Sequence, residues 1–430
     1  MPLSPLLLAN FQIPHLACQK WSINPSFFFL MLQPYLVHFL YNSSTTIIVQ
    51  PKSILSKHSP LDLFVSSFLI LAKSLHHLMR KRRSMAAITY DPNCDLQKIK
   101  ELPQHRVLVE EIEGLIKVYN DGHVERPQIV PHVTSKLPLE LGVISSDVII
   151  DRFTNIWARL YVPKKLCQGN KLPLLIYFHG GGFCVGSASW ICYHEFLAKL
   201  ASIANCVIMS VNYRLAPENR LPAAYDDGVK TIAWLRQKVV SGVNEDYWWL
   251  NKVNFSSIFL AGDSAGGNIA HNVAIRVCSK LGELKPITLK GTILIQPFFG
   301  GESRTYSEKY TAQPPRSALT SMSADTYWRL ALPAGANQDH PWCNPIAKES
   351  IHLVDLRNIP GILVCISELD ILKDRNLEYC ATLNRVGNKK VVEYMMFKGV
   401  GHAFQVLNKS QVAQARTAEL IAQIKVFISR

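Results

Sequence analysis

After Met85, short apolar runs alternate along the chain with longer amphipathic stretches. This pattern predicts a repeating order of strands and helices. Short apolar runs predict strands at 157–162, 172–178, 206–211, 257–261, 289–299, 361–367 and 390–397. Longer amphipathic stretches between them predict helices at 195–203, 223–239, 265–277, 324–332, 375–386 and 411–427. This alternation indicates an α/β fold with a mostly parallel sheet and helices on both faces.

Two segments depart from this rhythm. Strands predicted at 115–119 and 124–126 flank Asn120-Asp121-Gly122, a tight-turn signal that indicates a hairpin. Residues 301–345 are polar and rich in Pro, and they interrupt the order of strands and helices. Because parallel sheets carry their chemistry at the carboxyl ends of the strands, we expect this insertion to form a lid over that edge.

The first 84 residues differ in composition from the rest of the chain. They are rich in Leu, Phe, Ser and Pro and contain eight Lys or Arg residues but a single acid, Asp62. Their apolar stretches are shorter than the ~18 residues typical of a membrane-spanning helix, and no early positive charge supports a secretory signal. We expect Met85 to be the functional start, residues 1–84 to lie outside the mature fold, and no membrane association. The alternative is an organelle-targeting or anchoring leader.

Charge and cysteine usage exclude several classes of function. The formal net charge of +14 forms no basic stripe interleaved with aromatic residues, so we expect no nucleic-acid partner. The ten cysteines include no CxxC pair and no Cys/His cluster with metal-ligand spacing, so we expect no metal site. Reduced, buried thiols indicate a cytoplasmic protein.

A G-x-S-x-G motif at residues 262–266 lies between a predicted strand and a predicted helix. In this setting the serine stands on a very sharp turn, and its small neighbours let other backbone approach closely. The helix that follows directs its positive end at the site, which favours developing negative charge. Ser264 is therefore the candidate nucleophile, and a plain glycine-rich turn is the alternative interpretation.

A glycine run, His179-Gly180-Gly181-Gly182, closes a predicted strand. Glycine lets backbone N–H groups turn toward a bound carbonyl oxygen with no side chain in the way. We assign an oxyanion hole to the amides of Gly181 and Gly182, together with the amide of Ala265 after the serine. The alternatives are a flexible loop or a phosphate cradle, but no G-K-[ST] follows and no dinucleotide fingerprint is present.

The candidate base is His402, which follows a predicted strand, precedes the last helix and has glycine neighbours. Its imidazole can accept the Ser264 proton and return it to the leaving alcohol. The acid should follow strand 361–367, and Asp370 leads because it starts the loop that would reach His402. Glu368 is the second choice, whereas Asp374 is interpreted as the N-cap of the next helix. The order serine, acid, histidine is typical of one class of serine hydrolases.

On the basis of these motifs, the chain from about residue 85 to residue 430 resembles the plant carboxylesterases of the hormone-sensitive-lipase family, which also contains the gibberellin receptors. The matching stretches are YFHGGGF at 177–183, NYRLAPE at 212–218, PAAYDD at 222–227, GDSAGG at 262–267, DHPWCNP at 339–345 and GHAF at 401–404. The resemblance implies an α/β-hydrolase fold, a cap built from about 85–115 and from 301–345, and no cofactor. It also implies small-molecule esters as substrates.

Two branches of the family depart from ester hydrolysis. The receptors resemble this chain but lack the catalytic histidine, and a dehydratase branch carries threonine at the nucleophile position. This chain has His402 and Ser264, so we expect a serine carboxylester hydrolase; a hormone-like receptor on the same scaffold is the alternative. Phe183 and Trp328 are candidates for the lining of the substrate pocket.

Overall fold

The computed structural model describes residues 106–136, 141–164, 171–242, 245–279, 284–313, 317–347, 359–386 and 392–430. The predicted extension at 1–84 and the part of the predicted cap before residue 106 lie outside these residues. No helix in the described ranges combines the length and the apolar character needed to cross a bilayer.

The strands within these ranges form two sheets. They are β1 Leu108–Ile112, β2 Ile116–Tyr119, β3 Val124–Glu125, β4 Val143–Asp151, β5 Ile156–Pro163, β6 Leu172–Phe178, β7 Val207–Asn212, β8 Val253–Asp263, β9 Leu289–Ile295, β10 Ile362–Ser367 and β11 Val392–Phe397. The small antiparallel sheet has the order β1-β2-β3, and the large sheet has the order β11-β10-β9-β8-β6-β7-β5-β4. Strands β6 to β11 run parallel, whereas β4 and β5 are antiparallel additions at one edge.

The helices alternate with the strands of the large sheet, as predicted. They are α1 Ile191–Ala204, α2 Ala223–Ser241, α3 Ala265–Cys278, α4 Tyr306–Tyr310, α5 Ser321–Ala331, α6 Lys373–Val386, α7 Phe404–Leu407 and α8 Gln411–Ile428, with a 3-10 segment at Glu245–Lys252. The predicted strand and helix order is therefore confirmed, and the fold is α/β.

Successive residues of a strand point to opposite faces of the sheet, and in the central strand β6 nearly all of them are buried. In β6, Leu174 and Ile176 belong to the apolar core that includes residues of α2, α3 and α6. Leu175 and Tyr177 belong to a second core with residues of α1 and α8. The continuous apolar run of β6 therefore serves two cores, which explains why it shows no alternation in the sequence.

The register of the parallel strands brings their carboxyl ends to one edge. Phe178 of β6 pairs with Gly262 of β8, and Ser367 of β10 pairs with Phe397 of β11. The loops that follow these strands therefore open at the same edge, where the predicted nucleophile, oxyanion glycines, acid and base are located.

Two sequence predictions are wrong in detail. The strand predicted at 289–299 ends at Ile295, because Gln296 has a left-handed backbone with φ 46° and proline follows. Helix α6 begins at Lys373, so Asp374 lies in the first turn instead of at the N-cap. Its carboxylate accepts a hydrogen bond from the amide of Ser307 at 2.6 Å and so connects α6 to the insertion.

Candidate active site

Ser264 stands at the turn between β8 and α3 with φ 54° and ψ −121°. A non-glycine residue in this region costs about 1–3 kcal/mol, so the surroundings must hold it there. The Ser264 amide donates to the carbonyl oxygen of Ile295 at 2.8 Å, and the Ser264 carbonyl accepts from the amide of Phe298 at 2.9 Å. A Cβ on Gly262 would collide with the backbone of Gly266. The glycines predicted for a sharp turn are therefore required by close packing.

The three residues predicted to form a triad meet at this edge. The Ser264 hydroxyl and the Nε2 atom of His402 are 2.9 Å apart, and Nδ1 of His402 is 2.7 Å from Oδ2 of Asp370. The other carboxylate oxygen of Asp370 accepts the amide of Leu372 at 3.0 Å, which fixes the orientation of the acid. Glu368, the second choice for the acid, instead accepts the amide of Gly399.

Electrostatics favour a protonated imidazole during proton transfer. Burial lowers the pKa of His402, but the charge and hydrogen bond of Asp370 and the charge of Asp263 outweigh it, so the pKa is raised above that of an ordinary imidazole. The side chains of His402 and Asp370 are 5% and 1% exposed. In such a site the Asp370 carboxylate can stabilise an imidazolium with little screening by water.

The glycine loop presents backbone amides beside Ser264. Gly181 has φ 114° and Gly182 has φ 59°, conformations that favour glycine. The Gly181 carbonyl accepts from the amides of residues 184 and 185, which closes a tight turn. Among the described residues, the amides of Gly181, Gly182 and Ala265 have no hydrogen-bond acceptor. They are therefore available to a ligand oxygen.

His179, the first residue of the glycine motif, has a structural position. Its Nδ1–H donates to the carbonyl oxygen of Gly180 at 2.8 Å, and its ring stacks on Tyr213 with centroids 4.3 Å apart. Burial lowers the pKa of His179 to about 4, so the ring is neutral at physiological pH. The residue shapes the loop and lies outside the Ser264–His402 relay.

The site opens into a cavity of about 570 Å³. Ser264, His402, Asp263 and the glycine loop line part of it. Two other segments contribute, the β1–β2 turn with Glu113, Gly114 and Leu115, and the insertion with Ser317, Ala318, Leu319 and Tyr327. The remaining described lining residues are Ile129, Val185, Trp190, Tyr193, Ala403 and Leu407. Both segments predicted to form the cap thus contribute to the described walls of the cavity.

The two residues suggested for the pocket are not in its described lining. Phe183 and Trp328 are each 1% exposed and pack against each other with ring centroids 5.4 Å apart. Phe298 stacks on Trp328 at 4.5 Å. They form a buried aromatic cluster behind the pocket, and Tyr327, one residue earlier on α5, faces the cavity instead.

Asp263 is a residue of the site that the sequence analysis missed. It is 1% exposed and accepts hydrogen bonds from the hydroxyls of Tyr177 at 2.7 Å and Tyr193 at 3.0 Å. Burial raises the pKa of Asp263 to about 6, against the opposing effect of the two hydrogen bonds. The sequence did contain a signal for this residue. An acidic residue ends an apolar run directly before the candidate nucleophile, and acids are seldom buried.

The large sheet, the sharp serine turn and the Ser–His–Asp relay at the carboxyl edge define the class of α/β hydrolases. The chain belongs to this family, since the family model for the alpha/beta hydrolase fold matches residues 175–406.

Comparison with individual proteins describes the chain more narrowly than the family match does. The chain is 52% identical to probable carboxylesterase 6 of Arabidopsis thaliana over 326 residues, which cover 75% of this chain and 92% of that protein. It is 38% identical to the gibberellin receptor GID1C of the same plant over 273 residues, which cover 60% of this chain and 75% of the receptor. A solved Pyrobaculum calidifontis esterase superposes with a TM-score of 0.54 and 28% identity, covering 66% of this chain and 84% of that chain. The predicted resemblance to plant carboxylesterases is confirmed.

Proposed function

We propose that this chain hydrolyses carboxylic esters of small molecules through an acyl-enzyme formed on Ser264. The single observation that carries the proposal is the continuous relay, with 2.9 Å between Ser264 and His402 and 2.7 Å between His402 and Asp370. The carboxylesterase and esterase relatives support ester hydrolysis as the activity.

In the first half-reaction, Oγ of Ser264 attacks the ester carbonyl carbon while its proton moves to Nε2 of His402. The negative charge on the former carbonyl oxygen is stabilised by the amides of Gly181, Gly182 and Ala265. The C–O bond to the alcohol then breaks, and the His402 imidazolium gives its proton to the departing oxygen. This step leaves the acyl group on Ser264.

In the second half-reaction, water replaces the alcohol. His402 accepts a proton from the water as its oxygen attacks the acyl carbon, and a second tetrahedral intermediate forms in the same oxyanion hole. Collapse of this intermediate breaks the bond to Oγ and returns the proton to Ser264, which releases the carboxylic acid. Asp370 keeps the neutral imidazole in the tautomer that accepts at Nε2 and stabilises the imidazolium that forms in each half-reaction.

The intact relay favours hydrolysis over a purely receptor function. A receptor needs a cavity but has no use for a histidine held between a serine and a buried carboxylate. Here the imidazole is 5% exposed and bonded on both sides. The cavity walls from the β1–β2 turn and from residues 317–319 are proposed to form the cap that encloses the ester.

Ser264→Ala tests the proposal. We expect turnover of p-nitrophenyl acetate to fall by several orders of magnitude, because the nucleophile is lost. Covalent labelling by a fluorophosphonate should disappear at the same time. Ser210→Ala is the matched control, since Ser210 is a buried serine in β7 outside the cavity lining, and this variant should keep both properties. Near-normal turnover by Ser264→Ala, or failure of the parent protein to label, would show that the proposal is wrong.

A further inference from the structure

A buried carboxylate other than Asp370 lies against the relay. Asp263 ends β8 directly before Ser264, and both of its oxygens accept hydrogen bonds from tyrosine hydroxyls, Oδ1 from Tyr177 and Oδ2 from Tyr193. Asp263 neither transfers a proton nor donates to the oxyanion in the proposed steps. Burial of an acid is costly unless its surroundings compensate, so its position calls for an explanation.

The hydrogen bonds of Asp263 extend to the glycine loop. The Tyr193 hydroxyl that donates to Asp263 also accepts the backbone amide of Gly180, at 2.8 Å. A Cβ on Gly180 would lie 2.7 Å from Oδ2 of Asp263, so the carboxylate packs directly against the loop backbone. One chain of contacts therefore connects the residue before Ser264 with the residue before Gly181.

The charge of Asp263 has no Lys or Arg partner among the described residues. The titratable groups that face it are the hydroxyls of Tyr177 on β6, of Tyr193 on α1 and of Tyr213 after β7, the thiol of Cys192 and the imidazole of His402. Of these groups only His402 becomes cationic. It lines the same cavity as Asp263, and at this proximity each residue favours the charged form of the other.

We propose that Asp263 is a positioning residue with two linked roles, fixing the distance between the serine turn and the oxyanion loop and stabilising the protonated His402 of each transfer step. The first role acts through Tyr193 and the Gly180 amide. The second acts through space, as an addition to the contact with Asp370. This inference rests on the proposed serine mechanism and assigns a function to the variable position of the G-x-S-x-G motif.

Asp263→Asn tests both roles, because asparagine keeps the shape and removes the charge. We expect kcat to fall about tenfold with little change in KM. The midpoint of the acid limb of the kcat/KM profile should move measurably to lower pH, since His402 loses a charge that raises its pKa. Tyr193→Phe breaks the contact with Gly180 but keeps the charge, so it should lower kcat and leave the midpoint unchanged.

The matched control is Tyr379→Phe. Tyr379 is also fully buried, but its hydroxyl bonds to His271 and its ring packs on His271 and Phe299, away from the bonds that connect Asp263 with the glycine loop, so kcat and the midpoint should stay at parental values. An Asp263→Asn enzyme with parental kcat, or with a reduced kcat and an unmoved midpoint, would overturn the inference. If the asparagine variant did not fold, parental kcat in Tyr193→Phe would overturn it instead.

Ser264→Ala, measured alongside, separates this inference from the proposed function. An active Ser264→Ala enzyme would reject the serine mechanism itself. An inactive Ser264→Ala enzyme combined with a parental Asp263→Asn enzyme would reject only the role of Asp263.

Discussion

Asp370→Asn is the substitution whose consequence follows most directly from the geometry. The carboxylate is 1% exposed and has two bonded oxygens, one toward Nδ1 of His402 at 2.7 Å and one toward the amide of Leu372 at 3.0 Å. Asparagine has nearly the same shape, so the substitution changes hydrogen bonding with little change in packing. Its effect on turnover therefore reports on the proton relay alone.

The amide of Leu372 determines which way the introduced asparagine faces. This N–H needs an acceptor, so the carbonyl oxygen of the new side chain must occupy the position that Oδ1 of Asp370 holds, and the NH₂ group then faces Nδ1 of His402. The asparagine NH₂ and the Nδ1–H of His402 are both donors and cannot form a hydrogen bond with each other. The imidazole must therefore carry its proton on Nε2 instead of Nδ1. In that tautomer Nε2 can no longer accept the proton of Ser264.

We expect kcat to fall by about 10⁴-fold, the loss typical of a relay forced into the wrong tautomer. Steady-state hydrolysis of p-nitrophenyl acetate measures this loss, and circular dichroism verifies that the variant is folded. Because the oxyanion amides and the cavity are unchanged, KM should stay within a few-fold of the parental value.

Glu368→Gln is the matched control, because it exchanges a carboxylate for an amide in the same loop. Glu368 bonds to the amide of Gly399 rather than to His402, so its substitution should leave kcat within about twofold of the parental value. If Glu368→Gln lost activity while Asp370→Asn retained more than about a tenth of it, the assignment of the acid would be wrong.

Three further predictions concern the base, the glycine loop and the fold. The kcat/KM profile should fall as pH decreases, with a midpoint above the pKa of an ordinary imidazole, because protonation of His402, which Asp370 favours, removes the base; a profile flat from about pH 5 to 8 would contradict this role. Gly182→Ala should lower kcat about 100-fold by displacing an oxyanion amide, whereas Gly335→Ala, with φ 82° but open space around it, should lose only stability. Arg375→Met should reduce the free energy of unfolding by about 3–5 kcal/mol in urea, because it leaves the buried Glu308 carboxylate without its cation; a change below about 1 kcal/mol would show that the pair is not needed.

Much of the fold and the relay could be predicted from the sequence because the strong apolar runs and the glycine motifs coincide. The strand before residues 262–266 and the glycines within them together require a sharp turn, and parallel strands then bring His402 and Asp370 to the same edge. The preference for Asp370 over Glu368 followed from the position of Asp370 at the start of the loop that leads toward His402. These inferences depend on local pattern and chain order, which a sequence contains.

The missing features depend on tertiary contacts. Strand β4 alternates exposed and part-buried residues at the sheet edge, so its apolar signal is weak. The left-handed conformation of Gln296 that ends β9 is held by its side chain, which donates to the Ser367 hydroxyl at 2.8 Å and accepts the amide of Ala403 at 2.8 Å, partners more than 70 residues away. Likewise, the rotation of α5 that directs Tyr327 to the cavity and Trp328 to the core is set by packing against other elements.

The walls of the cavity have a consequence for the evolution of substrate preference. Glu113, Leu115 and Leu319 lie on connecting segments, whereas Ser264 and its partners follow strands of the large sheet. Sequence change at the connecting positions alters the room offered to an ester without disturbing proton transfer. Duplicated copies of such a gene can therefore diverge in the esters they accept while their turnover chemistry is retained, and laboratory selection for a new ester should begin at these wall residues.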